Sequence, residues 1–467
     1  MSNTLIKETI QFVKDEATKF GAKTSDSNKS YVFRENISED ALGDGGYFGF
    51  ISPDEAQSGA FSDFSFVIMP SKDDKGWIVT LGIGSLGFKN DYELANFPGL
   101  RRLFSKLIDQ DGFCKTDLSD IETSLPKNIT GREEIVGIKK TIDSYTKVLP
   151  VIQILKEPSS ETDRKKILAF LAAYAKIREW PTNKDHKKAI EEALRDFVKE
   201  KDINDQEMVK NLLLERKYVV LQGPPGVGKT RLAKKISEDL NAETFFVQFH
   251  AETSYSDFIY GIRPSINTKD LSYEGEEGVL IKAIKKAQEL EKQESKENVV
   301  LIIDEINRAN LSNVLGPFFY LFEYQQEQSE INIEIAPGLK ISALPKNLFV
   351  IATMNTADRS LAVVDFALRR RFAWYSLQPK VIKAPSFYLN DFMEFKRIFD
   401  WFATSNEIAL QPGQGYFIAD SEDKMVNRVK YELLPLIKEY LQEGLLASAK
   451  EDFNNYFVNR IKVPLYE

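Results

Sequence analysis

Gly223-Pro224-Pro225-Gly226-Val227-Gly228-Lys229-Thr230 is the stretch from which the fold of this chain can be read. Two glycines with four residues between them, followed by Lys and Thr, form the pattern of a loop whose backbone N–H groups cradle phosphates. Its surroundings agree with that reading: the apolar run KYVVLQ (217–222) leads in and the amphipathic TRLAKKISEDL (230–240) leads out. A strand, a glycine-rich turn and a helix N-terminus then converge on one anion. In such a loop Gly223, Pro224, Pro225, Gly226, Val227 and Gly228 wrap the phosphates, Lys229 reaches the β and γ phosphates of a nucleotide, and the Thr230 hydroxyl ligates Mg²⁺. The competing reading is an ordinary glycine-rich turn beside a surface lysine.

Four more apolar runs follow, TFFVQF (244–249), NVVLIID (298–304), LFVIAT (348–353) and FAWYSL (372–377), alternating with helical or loop segments. Continuous apolar strands separated by helices predict a five-stranded parallel sheet covered on both faces. Beyond residue 379 the periodicity of DFMEFKRIFDWFATS and RVKYELLPLIKEYLQEGLL predicts a helical lid.

Three constellations lie at the ends of these runs. Asp304 closes the third strand, at the edge where ligands bind in α/β sheets, and is placed to hold Mg²⁺ through Thr230 or water. Glu305, next to it, is placed to orient and deprotonate an attacking water. Paired acids also end strands as plain solvent-facing caps, and the spacing after the phosphate loop favours the catalytic reading. Asn355 in MNTADRS (354–360) stands where the fourth strand meets its loop, within reach of that water or of the γ phosphate. In ALRRRF (367–372), Arg369, Arg370 and Arg371 cannot all be buried unpaired without heavy desolvation cost. One or two are presented to an anion, which in a ring is the neighbouring subunit's γ phosphate. A solvated basic turn is the alternative.

In this order the motifs resemble the AAA+ superfamily, and GPPGVGKT, LIIDEINRANLSNVLG, MNTADRSLAVVDFALRRRF and RVKYELLPLIKEYL resemble the motor subunit of the McrB family of modification-dependent restriction systems. The likeness runs from about residue 208 to about 445. It implies a hexameric homo-oligomeric ring, hydrolysis of GTP in place of ATP with Mg²⁺, a separate McrC-type nuclease subunit, and DNA translocation leading to cleavage. By residue, it implies that Gly223 to Thr230 bind nucleotide and that Asp304 and Glu305 are the metal-holding and catalytic carboxylates. Asn355 to Asp358 match the signature loop, with Asn355 and Asp358 as catalytic positions. Arg370 and Arg371 match the basic segment that completes a neighbour's site. The segment FHAETSYSDFIYGIRP (249–264) resembles a family insertion toward the ring pore, where Tyr255, Phe258 and Tyr260 either pack in the core or meet a partner. No NKxD signature of ordinary GTPases stands at a suitable place, so GTP preference comes from the resemblance alone.

The whole chain has 467 residues, 43% apolar and 28% charged, with a formal charge of −8, two His and one Cys. That is the composition of a globular protein of two to four domains. Net acidity excludes coating nucleic acid by bulk charge and leaves local or shape-based DNA contact. A lone Cys114 excludes an intramolecular disulfide and a Cys-rich zinc site. With no apolar run near ~18 residues, a membrane span is not expected and a reduced, cytoplasmic setting is.

The expected organisation is multi-domain. Residues 1–120 form an α+β domain with a small sheet between about residues 30 and 87, flanked by helices near 4–20 and 97–108; residues 121–207 form a helical connector; 208–379 form the α/β core and 380–467 the lid. Residues 1–110 hold 12 Lys and Arg against 16 Asp and Glu, so basic residues do not gather there. Tyr31, Phe33, Tyr47, Phe48, Phe50, Phe61, Phe64, Phe66 and Trp77 offer an aromatic pocket for an extracted base, although a small sheet needs aromatics for its core. On the connector, Arg164, Lys165, Lys166, Lys184, Lys187 and Lys188 make either a solvated helix face or a nucleic-acid contact. No compact PD…(D/E)xK nuclease pattern stands out, so any cutting belongs to another chain. Two other functions compete with the restriction motor: an ATP-driven, MoxR-like remodelling chaperone, and an oligomeric defence sensor reset by hydrolysis.

Overall fold

A computed structural model of the chain describes all residues except 1, 25–27, 43, 73–74, 87–97, 116–123, 196, 198–203, 265–272, 323–331, 337, 358–365 and 467. It divides into two units, residues 1–201 with 400–404, and residues 202–399 with 405–467.

The first unit opens with helix α1 (Ser2–Lys19), as the periodicity of its apolar positions predicts. An antiparallel six-stranded sheet follows, built from β1 (Val32–Asn36), β2 (Tyr47–Ile51), β3 (Phe64–Met69), β4 (Trp77–Ile83), β5 (Gly112–Cys114) and β6 (Val151–Leu155) in the order β1-β2-β3-β4-β6-β5. Every residue of β3 and β4 is buried, so both faces of the middle of the sheet are covered. Helix α2 (Glu161–Ile177) packs against α1 and against β3, β4 and β6. Ser160 starts it, its hydroxyl accepting the Asp163 N–H at 3.2 Å.

β6 corrects the expectation of a purely helical connector over 121–207. The run VIQIL within it lies in the sheet between β4 and β5. The reason is local: Pro150 biases the residue before it toward extended backbone, and three of the next four residues are β-branched. The basic residues also divide. Lys166 is only 7% exposed and points inward, 3.1 Å from both Asp109 and Asp163. Arg164 lies over the Phe12 ring, and Lys184, Lys187 and Lys188 are exposed on α3 (Lys184–Leu194). Of the nine candidate pocket aromatics, Phe48, Phe50, Phe64, Phe66 and Trp77 are buried core residues. Tyr31, Phe33, Tyr47 and Phe61 are half-buried.

The second unit contains the parallel sheet, with strands β7 (Tyr218–Gly223), β8 (Glu243–Gln248), β11 (Val299–Asp304), β14 (Leu348–Asn355) and β15 (Ala373–Ser376) in the order β15-β7-β14-β11-β8. Two small hairpins stand outside it, β9 (Tyr260–Pro264) with β10 (Tyr273–Glu277), and β12 (Ile333–Ala336) with β13 (Leu339–Ile341). Because side chains alternate along a strand, β11 feeds two cores. Leu301 and Ile303 meet Leu280 and Ile284 of α6 (Val279–Lys292) on one face. Val300 and Ile302 meet Val209 and Leu213 of α4 (Asp205–Arg216) and Ile236 of α5 (Lys229–Asp239) on the other. Each such fully buried side chain stabilises the fold by about 1.5–3 kcal/mol. Phe258 is fully buried, and Tyr255 and Tyr260 pack against the same core as α6, which is the packing alternative for these aromatics.

The lid is helical, with α7 (Leu389–Phe402), α8 (Glu422–Arg428), α9 (Leu434–Gln442) and α10 (Lys450–Ile461). Phe395 of α7 sits edge-on to Phe417 and Tyr456, which knits α7 to α10. No helix among the described residues is long and apolar enough to cross a membrane.

Cys114 on β5 provides a check on the packing of the first unit. Burial pushes its thiol up to about 11, so the reactive thiolate is about 100-fold rarer at pH 8 than for a thiol of ordinary pKa. Iodoacetamide at pH 8 is expected to label the native chain at least ~10-fold more slowly than the urea-unfolded chain. Equal rates would contradict this placement of β5.

Candidate active site

Strand register assembles the site. β7 and β14 pair so that Asn355 lies opposite Gly223, and β14 and β11 pair so that Ile303 lies opposite Ala352, which brings Thr353 level with Asp304. By the same alternation that sorts the core, Thr353, Asn355 and Asp304 share the parity of Ile351 and Ile302, and so the face covered by α5. Thr230 lies in the first turn of α5. Four polar residues from three elements therefore meet at one sheet edge.

The Thr230 hydroxyl donates to Asp304 Oδ1 at 2.7 Å, and the Thr353 hydroxyl donates to the same oxygen at 2.7 Å. Thr353 also accepts the Glu305 backbone N–H at 3.0 Å. Glu305 has φ 55° and ψ 50°, the left-handed region, which costs a non-glycine residue about 1 kcal/mol or more. The chain thus turns sharply at the end of β11, held by Thr353. The Glu305 carboxylate forms an ion pair with Arg308. Lys229 Nζ donates to the Gly223 and Pro224 carbonyls at 2.8 and 2.9 Å. Gly226 and Gly228 have φ of 80° and 88°, backbone that a side-chain-bearing residue adopts only with strain. Asn355 Oδ1 accepts the Ala357 N–H at 3.2 Å, and the Thr356 N–H donates to the Gly223 carbonyl at 3.1 Å, which ties the signature loop to the phosphate loop.

The oxygen set of Thr230 and Asp304 suits a hard divalent cation carried by phosphates, because Mg²⁺ takes few protein oxygens and keeps the rest of its shell for phosphate and water. The loop of N–H groups and Lys229 suits the phosphates themselves.

Asp358 lies outside the described residues. The arginine segment forms the short helix Phe366–Arg371, in which Arg369 and Arg370 are exposed and Arg371 is only 4% exposed. The Arg371 guanidinium lies 4.3 Å from the Phe319 ring centre, and that of Arg369 5.2 Å from Trp374. Arg371 is thus held inside its own chain, and Arg370 is the one of the two candidate fingers that reaches the surface. Thr353 and Arg308 were missed in the sequence. The signal for Thr353 was available, since it stands two residues before Asn355 in a strand and shares its face.

Removing one hydroxyl tests the Asp304 cluster. Thr353→Val keeps the shape, leaves the Glu305 N–H without its acceptor and takes one donor from Asp304. Mg²⁺-dependent nucleotide hydrolysis is expected to fall ~10-fold or more, with a melting temperature within a few degrees of wild type. Unchanged hydrolysis would show that the cluster does not position the carboxylates.

Comparison with known proteins agrees with this geometry. Residues 218–372 match the model of an AAA domain (dynein-related subfamily). The chain is 37% identical over 208 residues to the Type IV methyl-directed restriction enzyme EcoKMcrB subunit of Escherichia coli (strain K12), covering 43% of each. It is 28% identical over 201 residues to the Type II restriction enzyme BsuMI component YdiS of Bacillus subtilis (strain 168), covering 34% of this chain and 56% of that one. A 28% identity over 181 residues to the mitochondrial Lon protease homolog of Schizosaccharomyces pombe (strain 972 / ATCC 24843) covers 37% of this chain and 15% of that one, so a similar core serves outside restriction as well. The chain spans about half the length of the two restriction relatives it matches. Phosphate loop, acid-terminated strand, asparagine-bearing strand and helical lid stand in the order that this likeness requires, and residues 218–372 form an AAA domain similar to the core of a methyl-directed restriction subunit.

Proposed function

We propose that this chain is the GTP-hydrolysing motor subunit of a restriction-type antiviral system. In this reading it forms a homo-oligomeric ring, a hexamer, recognises DNA through its N-terminal domain (residues 1–120), and drives translocation and cleavage by a separate McrC-type nuclease subunit. One observation carries the proposal: the cluster of Thr230, Asp304 and Thr353 beside the phosphate loop lies in a core 37% identical to a methyl-directed restriction subunit.

The chemistry follows from the placement of the groups. Backbone N–H groups of residues 223–230 and the Lys229 ammonium would bind the β and γ phosphates, and Thr230 and Asp304 would hold Mg²⁺. Mg²⁺ held there would supply positive charge that offsets the charge of the phosphates. Glu305 exchanges Arg308 for the attacking water and accepts its proton as the water oxygen bonds to the γ phosphorus and the bond from the γ phosphorus to the bridging oxygen breaks. Asn355 hydrogen-bonds that water or a γ-phosphate oxygen. Arg370 of an adjacent subunit stabilises the charge that develops on the transferred group. Asp358 belongs to the same loop as Asn355 and is assigned with it.

The test is Mg²⁺-dependent hydrolysis of GTP and ATP by the purified chain, alone and with the McrC-type nuclease subunit. GTP is expected to be preferred and its turnover raised by that subunit. Glu305→Gln is expected to lower turnover ~100-fold or more while nucleotide still binds. An ATP preference, with no response to the nuclease subunit, would favour a remodelling ATPase instead. Full activity of Glu305→Gln would overturn the assignment of the base.

A further inference from the structure

The phosphate loop is held from behind by the segment Gln411–Phe417 at the base of the lid. Three successive loop carbonyls are taken by three successive lid residues. The Gly413 N–H donates to Pro225 O at 2.9 Å, the Gly415 N–H to Gly226 O at 2.8 Å, and the Gln414 side-chain Nε2 to Val227 O at 2.8 Å. Gln414 is 8% exposed, and its Oε1 accepts the Lys380 N–H at 3.3 Å. The approach is as close as backbone allows. A Cβ on Gly413 would lie 2.2 Å from the Gly226 carbonyl carbon, and one on Gly226 would lie 2.8 Å from the Tyr416 ring. Arg428 of α8 fixes the strap in turn, donating to Gly415 O at 2.6 Å.

This arrangement has a consequence for the other side of the loop. In a planar trans peptide the carbonyl and the following N–H point in opposite directions. Pinning the carbonyls of Pro225, Gly226 and Val227 toward the lid therefore turns the N–H groups of Gly226, Val227 and Gly228 away from it, toward the side where a phosphate would lie. The positive φ of Gly226 and Gly228 completes that concavity. A loop ordered before binding spends less of its binding free energy on ordering.

We propose that Gln414 is a positioning residue for the polyphosphate of the nucleotide: with Gly413 and Gly415 it presets the phosphate loop, and so makes nucleotide affinity depend on the seating of the lid. The proposal rests on the reading of residues 223–230 as the nucleotide's phosphate site. Gln414 touches neither substrate nor metal in this account and acts only through the loop carbonyls.

Two variants separate positioning from folding. Gln414→Met fills the same space and removes both hydrogen bonds, and Gln414→Glu keeps the acceptor for the Lys380 N–H and loses the donor to Val227. Binding of a fluorescent GTP analogue and of its ATP counterpart would be titrated alongside the melting temperature without nucleotide and the hydrogen exchange of residues 411–417. Both variants are expected to weaken binding of whichever nucleotide the wild type takes by about tenfold, in proportion to the lost buried hydrogen bond. Their melting temperatures are expected to stay within a few degrees of wild type. In the wild type, nucleotide is expected to slow exchange at Gly413 and Gly415, and in Lys229→Ala it is not. Unchanged affinity in both variants, or a loss of affinity that only tracks a fall in melting temperature, overturns the proposal while leaving the nucleotide site intact. Failure of the wild type to bind either nucleotide overturns the phosphate-site reading and the proposal with it.

Discussion

A single carboxylate oxygen, Asp304 Oδ1, accepts hydrogen bonds from two hydroxyls that arrive on separate elements, Thr230 at the head of α5 and Thr353 near the end of β14. Neither neighbour is close in sequence. The meeting depends on the parallel order β7-β14-β11, which ends all three strands at one edge, and on a register that sets Thr353 level with Asp304. A slip of one residue in β14 would reverse the face of every side chain it carries, pulling Thr353 and Asn355 out of the site and moving Ile351 from the core beneath α5 to the one on the opposite face. The apolar pattern that builds the core therefore also aims the polar residues at its edge.

Local constraints refine that placement. The left-handed backbone at Glu305 turns the chain immediately after Asp304, so the two adjacent acids leave the strand in different directions and take different partners, Thr230 and Thr353 for one and Arg308 for the other. The phosphate loop is anchored on both flanks, by the Thr356 N–H on the Gly223 carbonyl and by the lid strap on the next carbonyls along. Such a loop is held less by its own glycines than by the segments that approach it, and those segments can approach only because Gly226 and Gly413 carry no side chain.

Much of the second unit was legible in the sequence, because buried parallel strands read as unbroken apolar runs and a phosphate loop needs a fixed set of residue types at a fixed spacing. All five runs are strands, with ends shifted by one or two residues. Gln414 and Arg308 were not legible. A buried glutamine in a lid loop carries no spacing signal, and an arginine three residues after a carboxylate is common on any surface. In the first unit, VIQIL fits helical and strand periodicity alike over so short a run, and only Pro150 and the β-branched residues favour the strand. Lys166 looked like part of a basic face because sequence alone does not show that Asp109, more than fifty residues earlier, faces it. Arg371 likewise reads as the twin of Arg370, and what separates them is the Phe319 ring contributed by a distant segment.

In the proposed site the Asp304 cluster and the phosphate loop together would hold a nucleotide with its Mg²⁺ ion. Calorimetric titration of a non-hydrolysable GTP analogue, with and without Mg²⁺, into the wild-type chain and into Asp304→Asn tests it most directly. Mg²⁺ is expected to tighten binding to the wild type by about tenfold or more, and this enhancement is expected to disappear in Asp304→Asn, with metal-free binding retained through the loop. Equal Mg²⁺ dependence in both proteins would overturn the assignment of Asp304, because the ion would then be held without the residue on which the site is centred.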